Sequence, residues 1–359
     1  MKKFIDKLEN ERALPRDELV SLITAELPDE DLSYLFARAD YVRKRVFGAG
    51  VYMRGLIEFT NYCKNDCLYC GIRRSNAAAA RYRLTKDEIL ACCEDGFRLG
   101  FRTFVLQGGE DPFFNDDLTA DIIAAIKKAF PDCALTLSIG EKNRETYAAF
   151  RKAGADRYLL RHETANDEHY AKLHPESMRL SERKQCLYDL KELGFQTGCG
   201  FMAGSPFQTP DCIADDLEFI RRLRPHMVGI GPFIPHSETP FARDKTYSNR
   251  EKLTLTLKLI AITRLILPDA LLPSTTALGT LDGKGRELGV KAGANVVMPN
   301  LSPVSVRKKY ALYDNKICTG EEAAECVGCM SNRMKSAGYE TTISRGDHPD
   351  ALKTPAMMT

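Results

Sequence analysis

The chain has 359 residues, 44% of them apolar, and sets 51 Lys and Arg against 49 Asp and Glu for a net charge of +2. That balance supplies no basic field for nucleic acid, and no apolar run reaches the roughly 18 residues that a membrane span needs. Twelve cysteines are many for a chain whose start, "MKKFIDKLENERALPRDELVSL", has lysines but no apolar stretch behind them, so that it reads as amphipathic helix and not as a secretory leader. In a reducing, cytoplasmic setting, clustered cysteines point to metal or redox chemistry rather than disulfides.

In chain order, residues 1 to 48 read as a helical layer, with a Pro-led helix entry at "LPRDELVSL". Strands follow at "GLIEFT", "FRTFVLQ", "ALTLSIG", "DRYLLRH", "QTGCGFM", "MVGIGPF", "ALLPST" and "NVVMP". Between them lie helices at "TKDEILACCEDGFRLG", "NDDLTADIIAAIKKAF", "NRETYAAFRKAGA", "LSERKQCLYDLKELG", "TPDCIADDLEFIRRLR" and "REKLTLTLKLIAITRLIL". Thr85, Asn115, Ser181 and Thr209 are the expected N-caps, and Gly100, Gly154 and Gly194 the expected stops. Buried strands alternating with amphipathic helices mean an α/β fold with a parallel sheet. Eight strands over about 250 residues match a (β/α)8 TIM-type barrel, with an open doubly wound sheet as the competitor. The expected organisation is an N-terminal helical extension to residue 48, a barrel over 49–300 and a cysteine-bearing C-terminal segment over 301–359.

A barrel gathers its chemistry at the C-terminal ends of its strands. "FTNYCKNDCLYCGIRRSN" follows the first strand and places Cys63, Cys67 and Cys70 in one loop, with Tyr69 before the last cysteine. "QGGEDP", "IGEKN", "RHETAN", "AGSPFQT", "PFIPHSETP", "TTALGT" and "PNLSP" follow the others. Three thiolates leave one iron of a [4Fe–4S] cluster without a protein ligand and open to a small molecule. A zinc site completed by His162 from another loop is the alternative. Cys92, Cys93, Cys186 and Cys212 fall in helical patterns and read as small buried apolar residues.

C-x3-C-x2-C with an aromatic before the last cysteine, after the first strand of a barrel, resembles the radical S-adenosylmethionine (SAM) superfamily. In that superfamily the open iron binds the amino and carboxylate groups of SAM, and an electron from the cluster cleaves a C–S bond to give methionine and a 5′-deoxyadenosyl radical. The resemblance implies that Gly108, Gly109 and Glu110 of "QGGED" meet the ammonium of SAM, that Glu163 and Arg183 contact the cofactor with Arg183 pairing its carboxylate, and that Gly200 and Gly204 lie beside the adenosine.

Within the superfamily, "YCGIRRSN", "RYRLT", "LQGGEDP", "DRYLLRHETAN", "MVGIGPFIPH", "LTLTLKLIAITRLILP" and "ANVVMPN" resemble the HydE maturases of [FeFe]-hydrogenase across residues 50 to 330. Biotin synthases and methylornithine synthases share shorter pieces. The resemblance implies a substrate cavity lined by Arg161, Thr275, Thr276, Met298, Tyr310 and Tyr313, and a small organometallic or amino-acid-derived substrate. It further implies the partners HydG and HydF, an electron donor such as ferredoxin or flavodoxin, and an oxygen-free cytoplasm. Cys318, Cys326 and Cys329 in "ICTGEEAAECVGC" match a second, surface-proximal iron–sulfur site, of [2Fe–2S] or [4Fe–4S] type, that some of these maturases carry. The inner cluster of biotin synthase needs three strand cysteines and an arginine. Here Cys133 and Cys199 stand on the third and fifth strands, Val105 and Leu106 occupy the second, and "LLPSTTA" offers no arginine. An iron–sulfur electron carrier without SAM chemistry is the non-enzyme alternative.

Overall fold

The structure, a computed structural model, describes residues 1–352; residues 353–359 of the expected C-terminal segment lie outside the described residues. Its strands are β1 (Gly50–Met53), β2 (Gly55–Thr60), β3 (Thr103–Gly108), β4 (Ala134–Ser138), β5 (Arg157–Leu159), β6 (Gln196–Ala203), β7 (Met227–Pro232), β8 (Val296–Val297) and β9 (Glu340–Thr342). β2 to β7 form a parallel sheet in chain order, as right-handed crossovers through helices require.

The closure comes from shorter pieces. Residues 271–273 pair with both neighbours, through Val228 N–H to Leu271 O at 3.1 Å and Ser274 N–H to Val296 O at 2.8 Å. The "ALLPST" strand is therefore a stave without a strand's regular ladder: it makes only isolated bridges, Met227 to Leu271 and Pro273 to Val296, and Pro273 has no N–H to donate. Leu56 then bridges Asn300, and Leu301 N–H donates to Leu56 O at 2.7 Å. Together these complete a (β/α)8 barrel rather than an open sheet.

The sequence reading placed no strand at β1 or β9. β1 pairs with β8 and with β9, which ties the C-terminal segment to the barrel wall. Thr85, Asn115 and Thr209 cap their helices as expected, each accepting a hydrogen bond from the backbone three residues on. Ser181 does not. That helix starts at Leu180 with Arg179 in the cap position and no side-chain cap, one turn of backbone bonding from Arg183 N–H to Arg179 O having extended it backwards.

Three helices (Lys2–Glu11, Arg16–Thr24, Asp29–Phe47) precede the barrel. They cover the outer face of the helix Asn249–Ile266, whose Lys258 Nζ donates to Ile23 O and Ala25 O at 2.9 Å. A barrel helix normally keeps one wet face; this one is buried from Thr256 to Ile266, which explains its nearly unbroken apolar sequence. At the opposite end from the polar loops, Asp347 accepts from Arg157 Nη2 at 2.6 Å and Gln196 Nε2 at 2.7 Å, and Arg345 pairs with Asp156 at 3.0 Å. The C-terminal segment thus stoppers the barrel floor. Among the described residues, no helix is long and apolar enough to cross a membrane.

Candidate active site

β2 runs straight into the loop bearing Cys63, Cys67 and Cys70. Asp66 pins that loop by accepting from Arg73 Nε at 2.7 Å and Ser75 N–H at 3.0 Å. Arg81 donates to the carbonyls of Asn61, Ile72 and Arg73. Side chains supply here the bonds that a helix or ladder would otherwise make. The three cysteines are half-buried. Burial raises all three thiols, Cys67 to about 12, with Arg183 opposing and Cys63 adding like charge at that position. A metal cluster binding here exchanges those protons for iron.

The loop after β3 lies directly on the cysteine loop. A Cβ on Gly109 would stand 2.1 Å from Tyr62 O and 2.8 Å from Cys63 Cβ, so glycine is required for the approach. Lys64 N–H donates to Glu110 O at 2.8 Å, and Lys64 Nζ lies 3.4 Å from the Glu110 carboxylate. After β4, Gly140 adopts φ +77°, and a Cβ there would meet Glu110 Cγ at 2.1 Å. Glu141 follows. Its N–H donates to Glu110 Oε1 at 3.1 Å, and its carboxylate meets Arg183 Nε at 2.7 Å. Arg183 reaches in from the first turn of the helix Leu180–Glu192 and is only 6% exposed. Burial works against its charge, and Glu141, Tyr170, Tyr69 and Glu110 together more than offset that.

Tyr69 faces the same space, within electrostatic reach of Cys67, Glu163 and Arg183. Its hydroxyl lies 3.1 Å from His174 Nε2. Glu163 follows β5 in a left-handed conformation, φ +66°, which costs a non-glycine residue about 1–3 kcal/mol and persists only when its surroundings impose it. Here they do. Glu163 N–H donates to Gly200 O at 3.0 Å, and Arg161 Nη2 lies 3.3 Å from Glu163 Oε2. Behind it, fully buried Asp216 accepts from Ala165 N–H at 2.5 Å and from His162 Nε2 at 3.2 Å. His162 Nδ1 accepts from Gly200 N–H at 3.3 Å. Both ring nitrogens of His162 are engaged away from the cysteine loop, which removes the zinc arrangement that used it.

Gly200 packs against the backbone of Gly229 in β7, and Gly204 sits beside Lys252 and Tyr247; their nearest neighbours are protein. Cys92, Cys93 and Cys212 are buried as expected, and Cys186 is half-buried. Cys133 stands just before β4 rather than on it, its sulfur toward Phe101 O, while Cys199 lies within β6.

The expected substrate residues divide into two groups. Arg161 donates to Phe201 O at 2.6 Å beside Glu163. Tyr310 is buried and accepts from Gln107 Nε2 at 3.3 Å, and Tyr313 is pushed up to about 12 by burial. Thr275 caps the short helix Thr276–Leu281. Thr276 and Met298 instead line a cavity of about 450 Å³ that also receives Cys318, Cys326 and Cys329. Cys326 and Cys329 are one turn apart on the helix Ala323–Ser336 and so share a face. Arg286 Nη2 bridges the two sets, 3.2 Å from Cys318 Sγ and 3.4 Å from Thr276 Oγ1.

Glu141, Tyr170, His174, Asp216 and Arg286 escaped the sequence reading. Glu141 carried a usable signal, an acid directly after a glycine at a strand's C-terminal end. The rest are placed by partners far away in the chain. Three thiols in one loop, a glycine-floored neighbour and a buried guanidinium beside them suit a cluster with an open iron together with a carboxylate-bearing cofactor.

Comparison with known proteins agrees. The profile of the radical SAM superfamily matches residues 57–220. The chain is 47% identical over 320 residues, 89% of this chain and 90% of the other, to the [FeFe] hydrogenase maturase subunit HydE of Thermotoga maritima. It is 30% identical to the 3-methylornithine synthase of Methanosarcina acetivorans over 343 residues, 94% of this chain and 93% of that one. The crystal structure of the methylornithine synthase PylB superposes with a TM-score of 0.82 at 27% identity, covering 94% of this chain and 97% of that one.

Proposed function

This chain belongs to the radical SAM superfamily, and on that premise we propose that it is a HydE-type enzyme taking part in assembly of the diiron subcluster of the [FeFe]-hydrogenase active site. The observation that carries the proposal is the 47% identity to a HydE maturase along nearly the whole of both chains. In this reading Cys63, Cys67 and Cys70 hold the [4Fe–4S] cluster. When bound, cluster and SAM supply a one-electron reductive cleavage of a sulfonium C–S bond.

The chain's own residues bind, orient and exclude water. Glu110 and the backbone of Gly108 and Gly109 face the ammonium of SAM. Arg183, already buried and charged, takes its carboxylate beside Glu141. Tyr69, Glu163, Gly200 and Gly204 enclose the nucleoside. Arg161, Thr275, Thr276, Met298 and Tyr310 line the substrate side. The segment from Lys309 to Asp314 closes the mouth, with Gly71 N–H donating to Leu312 O at 2.9 Å and Asn61 Nδ2 to Lys309 O at 2.7 Å. Water excluded this way cannot quench a radical.

Cys318, Cys326 and Cys329 hold a second iron–sulfur cluster, with Arg286 Nη2 3.2 Å from Cys318 Sγ. Residues 1–48 form the helical layer, 49–300 the radical SAM barrel and 301–359 the segment with the second site. The partners are HydG and HydF, with a ferredoxin or flavodoxin as electron source, in an oxygen-free cytoplasm.

The test supplies the protein to a hydrogenase maturation system lacking HydE and measures hydrogen evolution, expected to be restored. Cys67→Ala should abolish both hydrogen evolution and 5′-deoxyadenosine formation. Intact SAM cleavage without restored hydrogen evolution would replace this reading with a methylornithine-synthase-like isomerase.

A further inference from the structure

Among the buried side chains around the cysteine loop, His174 makes contacts that the proposed chemistry does not use. It follows the helix Asp167–Leu173 and is 3% exposed. Its Nδ1 lies 3.0 Å from Tyr170 O. A carbonyl oxygen only accepts, so Nδ1 carries the proton and Nε2 presents a bare lone pair. That lone pair faces the Tyr69 hydroxyl at 3.1 Å. The ring cannot swing away. It stacks on Tyr170 with centroids 3.9 Å apart at 18°, stands edge-on to Tyr69 at 5.4 Å, and follows Leu173, whose carbonyl accepts from Leu68 N–H at 3.0 Å. The sulfur of Cys67 is a second acceptor within reach of the same hydroxyl.

We infer that His174 is a positioning residue of the cofactor site: its Nε2 accepts the Tyr69 O–H, which fixes Tyr69 beside the cysteine loop and keeps that O–H from donating to the Cys67 sulfur. The inference rests on the reading of Cys63, Cys67 and Cys70 as cluster ligands. Hydrogen bonds to ligating sulfurs raise an iron–sulfur potential, and a cluster that must reduce a sulfonium gains from a low one. His174 thereby serves both the wall of the SAM pocket and the reducing power of the cluster. A histidine kept only for packing would serve neither.

The experiment uses the full chain reconstituted without oxygen, with iron and sulfide content, midpoint potential and SAM kinetics read on each variant. His174→Phe keeps the stack and removes the acceptor. It should retain the cluster, shift the midpoint potential upward, and raise the KM for SAM roughly fivefold, the scale of one lost hydrogen bond, with a smaller change in kcat. Adding Tyr69→Phe should return the potential to the wild-type value, because no O–H is left to reach Cys67. His174→Gln, which restores an acceptor, should lie close to wild type. Tyr69→Phe alone keeps the test decisive if His174→Phe folds poorly: its potential should equal that of wild type. A fall in potential on Tyr69→Phe, or a cluster-replete His174→Phe with unchanged potential, would overturn the inference. Wild-type protein that takes up no cluster would instead overturn the ligand assignment on which it depends.

Discussion

Replacing Asp216 separates the buttress behind Glu163 from the residues that contact cofactor. Asp216 is fully buried, and burial without a cationic partner in contact pushes its carboxyl well above the usual range. His162, equally buried, is pushed down and stays neutral. The pair is thus a neutral hydrogen-bonded unit rather than an ion pair. Asp216→Ala strands the Ala165 N–H and the His162 Nε2–H in the interior at about 1–3 kcal/mol each, so a loss of about 3–4 kcal/mol of stability follows once the cavity is included. Asp216→Asn keeps an acceptor oxygen for both donors and should cost under about 1 kcal/mol at pH 5.

The pH dependence has a definite sign. Above about pH 4 an unfolded aspartate gives up its proton while Asp216 in the folded chain keeps it, so the wild type loses stability as pH rises. Asparagine does not titrate, and Asp216→Asn should gain on wild type between pH 5 and pH 8. Denaturant unfolding of the three proteins at both pH values measures this, with SAM affinity read alongside. Asp216→Ala should also weaken SAM binding, because Glu163 loses the neighbour that holds its left-handed turn. A pH-independent difference between wild type and Asp216→Asn would refute the neutral-pair description, and equal damage from Asn and Ala would refute the hydrogen-bond accounting.

Arg183→Met should raise the KM for SAM at least tenfold and destabilise the chain by about 1–3 kcal/mol, because the half-buried Glu141 loses its partner; Arg183→Met with Glu141→Gln should recover the stability but not the KM. Cys326→Ser should lower the iron content of anaerobically prepared protein by the share of the second cluster and leave 5′-deoxyadenosine formation intact. At Asp347, burial opposes ionisation, yet Arg157 and Arg345 outweigh it and hold the carboxyl below its usual range. The stability it confers is present above about pH 4 and lost as the pH falls, so Asp347→Asn should flatten the acid limb of an unfolding profile and free the C-terminal segment to proteolysis at neutral pH.

Much of the architecture was legible because its cause is local. Seven strands and six barrel helices answer to the sequence periodicity, and Thr85, Asn115 and Thr209 cap where a short polar side chain precedes an apolar helix face. The strand expected at "ALLPST" is a stave with isolated bridges, since proline removes a ladder donor and pairing on each side is settled by residues far off in sequence. β1 and β9 are invisible for the same reason: β1 forms against β8 and β9, and β9 against β1, partners that lie far off in sequence.

The site divides likewise. The identity and spacing of Cys63, Cys67, Cys70 and Tyr69, and the glycines of "QGGED", are properties of short segments, and thiolate chemistry makes them readable without a fold. That Glu141 meets Arg183, that His174 orients Tyr69, and that Asp216 holds the turn of Glu163 are contacts across 42, 105 and 51 or more positions of chain. No periodicity encodes such pairs. Burial in a closed barrel decided them, because a polar group removed from water must find its partner wherever the fold has put one.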